Sequence, residues 1–204
     1  MPGHASTCRN HSWAVYCDGV SSGVNVSSNI LGGATQGGIY FHQGGQNTAQ
    51  NNIIVDNNQY QLCFGTADQI SNVLRRNIFV WRNPTAKVLW DFNVLPGSSS
   101  RDDILLALAS SDYNLFWCTD PSVDVLRNSS IFPLGGNGGL EAWRLASKFD
   151  AHSIVANPLF AAPERGDYSL RSGSPALSKL QFQPIAPIDP LVPHAEDVGA
   201  DQPW

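Results

Sequence analysis

Three side chains that could do acid–base chemistry follow short apolar runs at regular places along the sequence. Asp18, His42 and Asp91 each come directly after the first predicted strand of a repeating unit. Parallel strands stacked coil upon coil lie about 5 Å apart, so residues one repeat apart in sequence become neighbours in space. The spacing therefore predicts a vertical stripe of acid, imidazole and acid on one face of the molecule.

Cleavage of a glycosidic bond is the reaction that such a stripe would suit. It generally requires two carboxyl groups, one acting as acid and the other as base or nucleophile. Asp91 stands three coils from Asp18, at about 15 Å, which is wider than the usual pair. We predict Asp18 and His42 as catalytic residues, with Asp18 as the acid and His42 as its partner, which acts as general acid or base or binds a sugar hydroxyl. The alternative is that Asp18 caps a turn and His42 lies on a solvated face.

Side chains near this stripe are predicted to bind the substrate; they are Tyr40, Gln43, Trp90 and Asp91. Exposed aromatic rings stack on sugar rings, although tyrosine and tryptophan also commonly fill protein cores. We predict no metal and no cofactor. Asp102-Asp103 has no companion acids at calcium-ligand spacing, and the four cysteines contain no Cys-x-x-Cys pair.

The amino-acid composition and net charge limit the kinds of molecule that the protein could bind. Of the 204 residues, 42% are hydrophobic and only 14% are charged, which favours one folded domain with a real core. The net charge is −5 and there is no basic run, so a nucleic acid or another polyanion is a poor match. A neutral glycan remains compatible with this charge. No apolar stretch approaches the length of a membrane span.

An asparagine followed by two apolar residues marks a repeat along the chain. The four repeats begin 23, 25 and 37 residues apart, and the last gap indicates an insertion; they start at Asn29, Asn52, Asn77 and Asn114. A second apolar run lies upstream of each, and turn residues separate the two. Short strands cannot bury an inner face alone, so they stack, and side-chain amides at equivalent positions form a ladder between coils.

The repeat predicts an all-β fold, a right-handed parallel β-helix of about four coils with an irregular C-terminal closing segment that holds one short helix. The expected organisation is a lead-in at 1–12, coils at 13–135 with an insertion near 96–112, and a short helix with a Pro-rich tail at 136–204. An antiparallel sandwich is the main alternative, but it would need hairpin turns and period-two alternation. Edges of the first coil near Trp13 would be exposed, so we expect preceding coils or a partner to cover them.

The cysteines divide into two groups. Cys17 and Cys63 lie in apolar runs and are predicted to be buried thiols. Pairing of Cys8 with Cys118 stays open.

Several segments resemble those of bacterial right-handed parallel β-helix proteins of the pectate-lyase-like superfold. The stretch from Leu140 to Leu177 is similar to their closing motif, which runs from a Glu-Glu-Trp helix through His-Ser and Asp-Pro-Leu-Phe to Gly-Ser-Pro-Ala-Leu. Segments near Asp18 and His42 resemble two of their coils. The resemblance implies a β-helix related to glycoside hydrolases, including fucosidase-like members, or to lyases. The chain departs from the pattern at Gly19, Tyr40 and Gln43, where the family has Asp, His and Tyr.

The combined features predict a secreted, carbohydrate-active protein of glycoside hydrolase type (EC 3.2.1) that acts on a neutral poly- or oligosaccharide. A non-catalytic β-helix that binds glycan or serves as a structural module is the alternative, favoured by the departures at Gly19 and Tyr40. A polysaccharide lyase ranks third, because no basic stripe is present to neutralise a uronate.

Overall fold

Three parallel sheets, named A, B and C here, form the body of the protein. The computed structural model describes residues 12–65, 70–91, 105, 107–127 and 139–186. Sheet A consists of β1 (Trp13–Cys17), β4 (Gly37–Phe41), β7 (Tyr60–Phe64) and β10 (Lys87–Asp91). Sheet B consists of β2 (Asn25–Ser27), β5 (Thr48–Gln50), β8 (Asn72–Arg75) and β11 (Leu108–Asp112). Sheet C consists of β3 (Ile30–Gly32), β6 (Ile53–Val55), β9 (Ile78–Trp81), β12 (Leu115–Cys118) and β13 (Ile154–Val155).

The chain visits the sheets in turn and pairs each strand with its equivalent one repeat away. Every pair within sheets A, B and C is parallel, for example β1 with β4 and β6 with β9. This confirms the predicted stack of parallel strands and excludes the antiparallel sandwich. Antiparallel pairing in the described residues is that of β14 (Phe160–Ala162) with β15 (Asp167–Leu170), outside the three sheets.

The core lies between the sheets, where inward side chains of successive coils pile on one another. Phe41 and Phe64 lie one above the other from sheet A, with ring centroids 6.2 Å apart. Phe79 and Phe116 stack from sheet C at 5.4 Å. All four rings are buried. Because each coil repeats the apolar residue of the one below, the strands need only a few residues each to build a continuous core.

The asparagine ladder predicted from the repeat is confirmed. The side-chain amide of each asparagine donates to the carboxamide oxygen of the next, at 3.1 Å, 3.0 Å and 3.2 Å along the series Asn29, Asn52, Asn77 and Asn114. The same oxygens also accept backbone N–H groups of the neighbouring coil. These bonds satisfy buried polar groups in the turn between sheets B and C.

The residue before each ladder asparagine takes the left-handed backbone conformation. The φ values lie between 54° and 58°, at Ser28, Asn51, Arg76 and Tyr113. This repeated positive φ makes the chain turn sharply from sheet B into sheet C. Asparagine tolerates it best of the four residue types.

The C-terminal segment covers the outer face of sheet C. Phe160, Leu180 and Phe182 join Val55 and other sheet C residues in a second buried cluster. Helix α1 (Leu140–Ser147) buries Leu140 and Trp143, which confirms the predicted short amphipathic helix. The prediction of one helix was incomplete, because Pro175–Lys179 forms a second, α2. The Ser174 hydroxyl caps it, and Pro175 supplies a helical φ at its first turn.

Part of the predicted insertion, including Asp102-Asp103, lies outside the described residues. The C-terminal end of the insertion forms β11. Cys17 and Cys63 are buried as predicted, and Cys118 is a buried free thiol, whereas Cys8 lies outside the described residues. In the part of the chain that the structure describes, no helix is long and apolar enough to cross a membrane.

Candidate functional site

Asp18 and His42 become neighbours because each follows the last residue of a paired strand. Strands β1 and β4 align Cys17 with Phe41, and the His42 backbone N–H donates to the Cys17 carbonyl at 2.9 Å. The next position in both coils then faces outward at the end of sheet A. The two side chains that the sequence spacing predicted to meet are therefore in direct contact.

The contact joins His42 Nδ1 to Asp18 Oδ1 at 2.7 Å. A carboxylate has no hydrogen to give, so Nδ1 carries a proton, and in the neutral ring the other nitrogen, Nε2, is the acceptor. The Asp18 side chain is 61% exposed and the His42 side chain 30%. The pair thus lies at the surface, where a ligand can reach it.

Hydrogen bonds keep Asp18 ionised. The His42 ring and the Gly19 backbone N–H, which is 2.8 Å from Oδ1, lower the pKa of Asp18 below its ordinary value. Desolvation opposes these two hydrogen bonds with a smaller effect, and the charge of a protonated His42 adds the smallest lowering contribution. Gly19 adopts a left-handed φ of 55°, which brings its N–H back to the carboxylate. An ionised Asp18 suits a base, a nucleophile or an anchor for the imidazole, and does not suit a general acid.

A stack of aromatic rings extends from this pair across the outer face of sheet A. Tyr16 stacks on Tyr40 at 5.0 Å, Tyr40 on Trp13 at 4.6 Å, and Trp13 on Tyr60 at 6.1 Å between ring centroids. His42 lies 5.7 Å from Tyr16 and 5.3 Å from Tyr40. The pair and the rings together form one continuous surface, which we call the sheet A face.

Tyr16 is the most open ring of this surface. Tyr16 is 49% exposed. Burial, followed by the nearby Asp18 charge, raises the pKa of its phenol. The hydroxyl therefore stays protonated and can donate a hydrogen bond. The sequence prediction included Tyr40 but omitted Tyr16, Trp13 and Tyr60. Strand register reveals Tyr16, because it pairs with Tyr40 across β1 and β4.

Gly65 occupies the position equivalent to His42 in the next coil and is a further residue that the sequence did not reveal. A Cβ there would lie 2.6 Å from the Tyr40 hydroxyl, 2.7 Å from His42 Cδ2 and 2.7 Å from the His42 carbonyl. The His42 and Tyr40 side chains can pack against the backbone at Gly65 because glycine has no side chain. Glycine composition alone gives no signal for such a role.

The other predicted site residues fall at different places. The Gln43 side-chain oxygen accepts the Val20 N–H at 3.4 Å, which ties the turn after Asp18 to the next coil. Asp91 pairs with Phe64, one position before the row of Asp18, His42 and Gly65. Trp90 pairs with Cys63 in the row of Tyr16 and Tyr40. The structure describes the backbone of Trp90 and Asp91 but not their side chains.

No second carboxylate of the described residues is among the groups that shift the pKa of Asp18, which are His42 and Gly19 together with desolvation. The same part of the chain holds no cluster of three or more His, Cys, Asp or Glu that could bind a metal ion. The chemistry offered is that of an imidazole base oriented by a carboxylate, beside an aromatic surface.

Comparison of this chain with family models, with curated proteins and with solved structures finds no match.

Proposed function

We propose that this protein is carbohydrate-active and that its sheet A face binds a neutral poly- or oligosaccharide. The observation that carries the proposal is the Asp18–His42 contact of 2.7 Å at the end of an exposed aromatic stack. Aromatic rings offer apolar faces and edges to the C–H groups of a sugar, while the dyad and the tyrosine hydroxyls bind its hydroxyls. The net charge of −5 favours a neutral glycan over a uronate polymer.

The catalytic part of the proposal is a glycoside hydrolase reaction in which His42 is the acid–base group. With Nδ1 hydrogen-bonded to Asp18, Nε2 takes a proton from a water molecule as the water oxygen bonds to the anomeric carbon. The bond from that carbon to the leaving oxygen breaks, solvent water protonates the leaving oxygen, and Asp18 stabilises the imidazolium that forms. Such an arrangement contributes about 10²–10⁴-fold to a rate.

Non-catalytic glycan binding is the second candidate function, and the ionised state of Asp18 favours it. Hydrolysis usually also needs a protonated carboxyl group to donate to the leaving oxygen. The described residues place none beside Asp18, and the low pKa of Asp18 prevents it from serving. In the non-catalytic candidate, the Asp18–His42 pair binds sugar hydroxyls and does not cleave the glycosidic bond.

The proposal also covers the handedness of the β-helix, its number of coils and the place where the protein acts. We infer a right-handed β-helix of about four coils, because parallel crossover connections are right-handed in about 98% of cases. We also infer that the protein is secreted, where an extended glycan would be accessible to its flat face. Among the described residues, β1, β2 and β3 are the end strands of their sheets, which supports further coils or a partner at this end.

The test is a screen of neutral polysaccharides and aryl glycosides for binding and for release of reducing ends. It compares the wild-type chain with Asp18→Asn, His42→Gln and Tyr16→Ala. Glycan hydrolysis by the wild type that falls at least about 100-fold in Asp18→Asn and His42→Gln supports the catalytic proposal.

The same screen separates the two candidates. Binding that is lost in Tyr16→Ala, without hydrolysis by any variant, supports the non-catalytic version. Asp167→Asn, at the exposed first residue of β15 and away from sheet A, is the matched control and should behave as wild type. Absence of both binding and hydrolysis across the screen, or equal activity in wild type, Asp18→Asn and Tyr16→Ala, would remove the sheet A face from any role.

A further inference from the structure

A concave surface lies on another side of the molecule, between sheet C and the C-terminal segment. It encloses about 450 Å³ and is lined by Asp56, Arg82, Trp117, Glu164, Tyr168 and Arg171 together with apolar residues. A second hollow of about 470 Å³ adjoins it and shares Asp56 and Arg82. We call the first of these the sheet C groove. Its volume is in the range of small-ligand sites.

Asp56 is the most unusual group in the sheet C groove. Its Oδ2 accepts a hydrogen bond from Arg82 Nη2 at 2.9 Å. Its Oδ1 is buried and has no hydrogen-bond partner among the described residues. A buried carboxylate oxygen without a donor is costly, so a donor from a bound molecule would be favourable at this point.

Aromatic side chains border the same space. Trp117 is half-buried at the groove wall, and the Tyr168 ring is fixed edge-on against Phe160 with centroids 5.2 Å apart. Burial, followed by the Asp56 charge, raises the pKa of the Tyr168 phenol, so its hydroxyl remains a hydrogen-bond donor. A flat apolar ring beside polar donors and acceptors matches the two-sided chemistry of a pyranose.

Charges in the sheet C groove balance. Asp56 and Glu164 supply two acids, while Arg82 and Arg171 supply two cations. Arg82 is partly neutralised by Asp56, and Arg171 donates to the Ala161 carbonyl at 2.8 Å. A ligand with a net charge would meet a nearby group of its own sign, whereas an uncharged polyol would not.

We propose that the sheet C groove binds a neutral saccharide unit. Asp56 Oδ1 accepts one sugar hydroxyl, Arg82 donates to another, and the Trp117 ring packs against the apolar face of the sugar. The site is separate from the Asp18–His42 pair and does not depend on it. A protein with both surfaces would hold a glycan at two places.

The experiment is an NMR titration of the full chain with maltose, lactose and cellobiose, with glycerol as the polyol control. The Trp117 indole N–H, assigned from the spectrum of Trp117→Leu, should shift with at least one disaccharide and not with glycerol. No shift with any disaccharide, or equal shifts with glycerol, overturns the proposal. Shifts confined to Trp13 and the sheet A face overturn it as well.

Two variants test the named contacts. Asp56→Asn keeps a residue type that tolerates the φ of 51° at this position, so the turn is retained. It removes a charged acceptor, and we expect affinity to fall by about tenfold or more. Trp117→Leu, which keeps an apolar side chain, should weaken binding by a similar factor of about tenfold. Asp124→Asn, at an exposed carboxylate outside the groove, is the control. Unchanged affinity in both Asp56→Asn and Trp117→Leu would refute the assignment.

Discussion

At the scale of single residues, the bond between His42 and Asp18 sets the ionisation of the carboxylate. Removing the imidazole in His42→Ala deletes the largest influence that lowers the pKa of Asp18, so that pKa should rise toward its ordinary value of 3.8. Carboxyl ¹³C shifts followed against pH measure this directly. Asp167, whose pKa is lowered by the Ser169 hydroxyl and backbone N–H, serves as an internal control and should not move. An unchanged Asp18 titration in His42→Ala would contradict the contact.

Gly65 tests whether the dyad depends on close packing between coils. In Gly65→Ala the new methyl group collides with the His42 ring, the His42 carbonyl and the Tyr40 hydroxyl, so both side chains must shift. We expect the Asp18 pKa to move up as in His42→Ala and glycan affinity to drop by about tenfold, or ~1.4 kcal/mol. In the matched control Gly173→Ala, the added Cβ meets only Leu159, at 4.0 Å. Wild-type titration and affinity in Gly65→Ala would show that the site accommodates the methyl group.

A second histidine–aspartate pair has a structural role. Asp112 accepts the His152 ring Nδ1 at 2.7 Å and the His152 backbone N–H at 2.8 Å, which fixes the segment before β13 to the end of β11. Burial is the largest single influence and raises the pKa of Asp112. The hydrogen bonds from His152 and Tyr113 together outweigh burial, so the pKa of Asp112 lies below its ordinary value of 3.8. Tyr113 also stacks on the imidazole at 4.8 Å.

The sign of this shift predicts the pH dependence of stability. Because the pKa of Asp112 is lower in the folded state, its contribution is present above the unfolded value and is lost as the pH falls through the folded one. The urea midpoint of the wild type should therefore decline more steeply below about pH 4 than that of Asp112→Asn. Urea unfolding at pH 6, 4 and 3 measures the difference. Parallel declines in the two proteins would mean that the pair contributes nothing.

The sequence revealed the dyad but only part of the surface around it. Asp18 and His42 were predictable because each ends a strand in successive repeats, and stacking makes such residues adjacent. Tyr16 and Trp13 were not, because spacing does not show which way a ring turns or which neighbour it covers. Gly65 could not be predicted either. Its role is to leave room for the Tyr40 and His42 side chains, and this is visible only once the two coils are packed together.

At the scale of elements, the asparagine ladder ends on a buried acid. Asp150 Oδ1 accepts the Asn114 amide at 3.0 Å and the Ser153 hydroxyl at 2.6 Å, while Oδ2 accepts the Trp143 indole N–H at 2.7 Å. Asp150 is fully buried. Helix α1 is thereby fixed to the last rung of the ladder. Trp143, Asp150, His152 and Ser153 thus form hydrogen bonds that hold this end of the stack together.

Asp150→Asn should destabilise the fold although it preserves size. All three side-chain partners are donors, and either orientation of the new amide points its NH₂ at the Asn114 amide or the Trp143 indole. We expect a loss of about 1–3 kcal/mol in the free energy of unfolding, the cost of unmatched buried polar groups. Urea unfolding at pH 7 provides the value, with Asp124→Asn as a surface control. A midpoint equal to that of wild type would indicate that the network tolerates an amide.

The repeat made the sheets predictable, whereas some features with little or no repetition were missed. Asparagines at Asn29, Asn52 and Asn77 keep nearly constant spacing, so their ladder could be inferred. A second ladder, in which Asn72 accepts the Asn47 N–H at 2.9 Å, has too few members to show as a period. Helix α2 has local signals in Ser174 and Pro175, but its short length and Pro-rich surroundings hid them.

At the scale of the whole molecule, two apolar cores share the strands of sheet C. One lies among the three sheets, and the other lies between the outer face of sheet C and the C-terminal segment. The outer core uses Val55 and Val80, while Ile54 and Phe79 of the same strands point into the inner one. A three-residue strand buried on both faces reads as a continuous apolar run, which explains why sequence periodicity did not reveal the second core.

The C-terminal segment is tied to the stack by Asn51, and this bond is the basis of a last prediction. The Asn51 side chain accepts the Gln183 N–H at 2.7 Å and donates to the Gln183 carbonyl at 2.9 Å. Asn51→Gly keeps the left-handed φ of 54° without strain but removes both bonds. Hydrogen exchange at the Gln183 amide should accelerate by about ten- to a hundredfold, which corresponds to about 1–3 kcal/mol.

Exchange in the stack itself should change little. The Ile53 amide bonds to the Asn29 carbonyl at 2.8 Å, and it remains bonded after the tail is released. Ser71→Gly, at an exposed residue that also has a left-handed φ, of 59°, lies outside the Asn51–Gln183 contact and is the matched control. Faster exchange at both Gln183 and Ile53 would mean that the tail and the stack unfold as one unit. Selective exchange at Gln183 would show instead that the solenoid keeps its structure while its cover opens, as expected where each coil contacts mainly its neighbours.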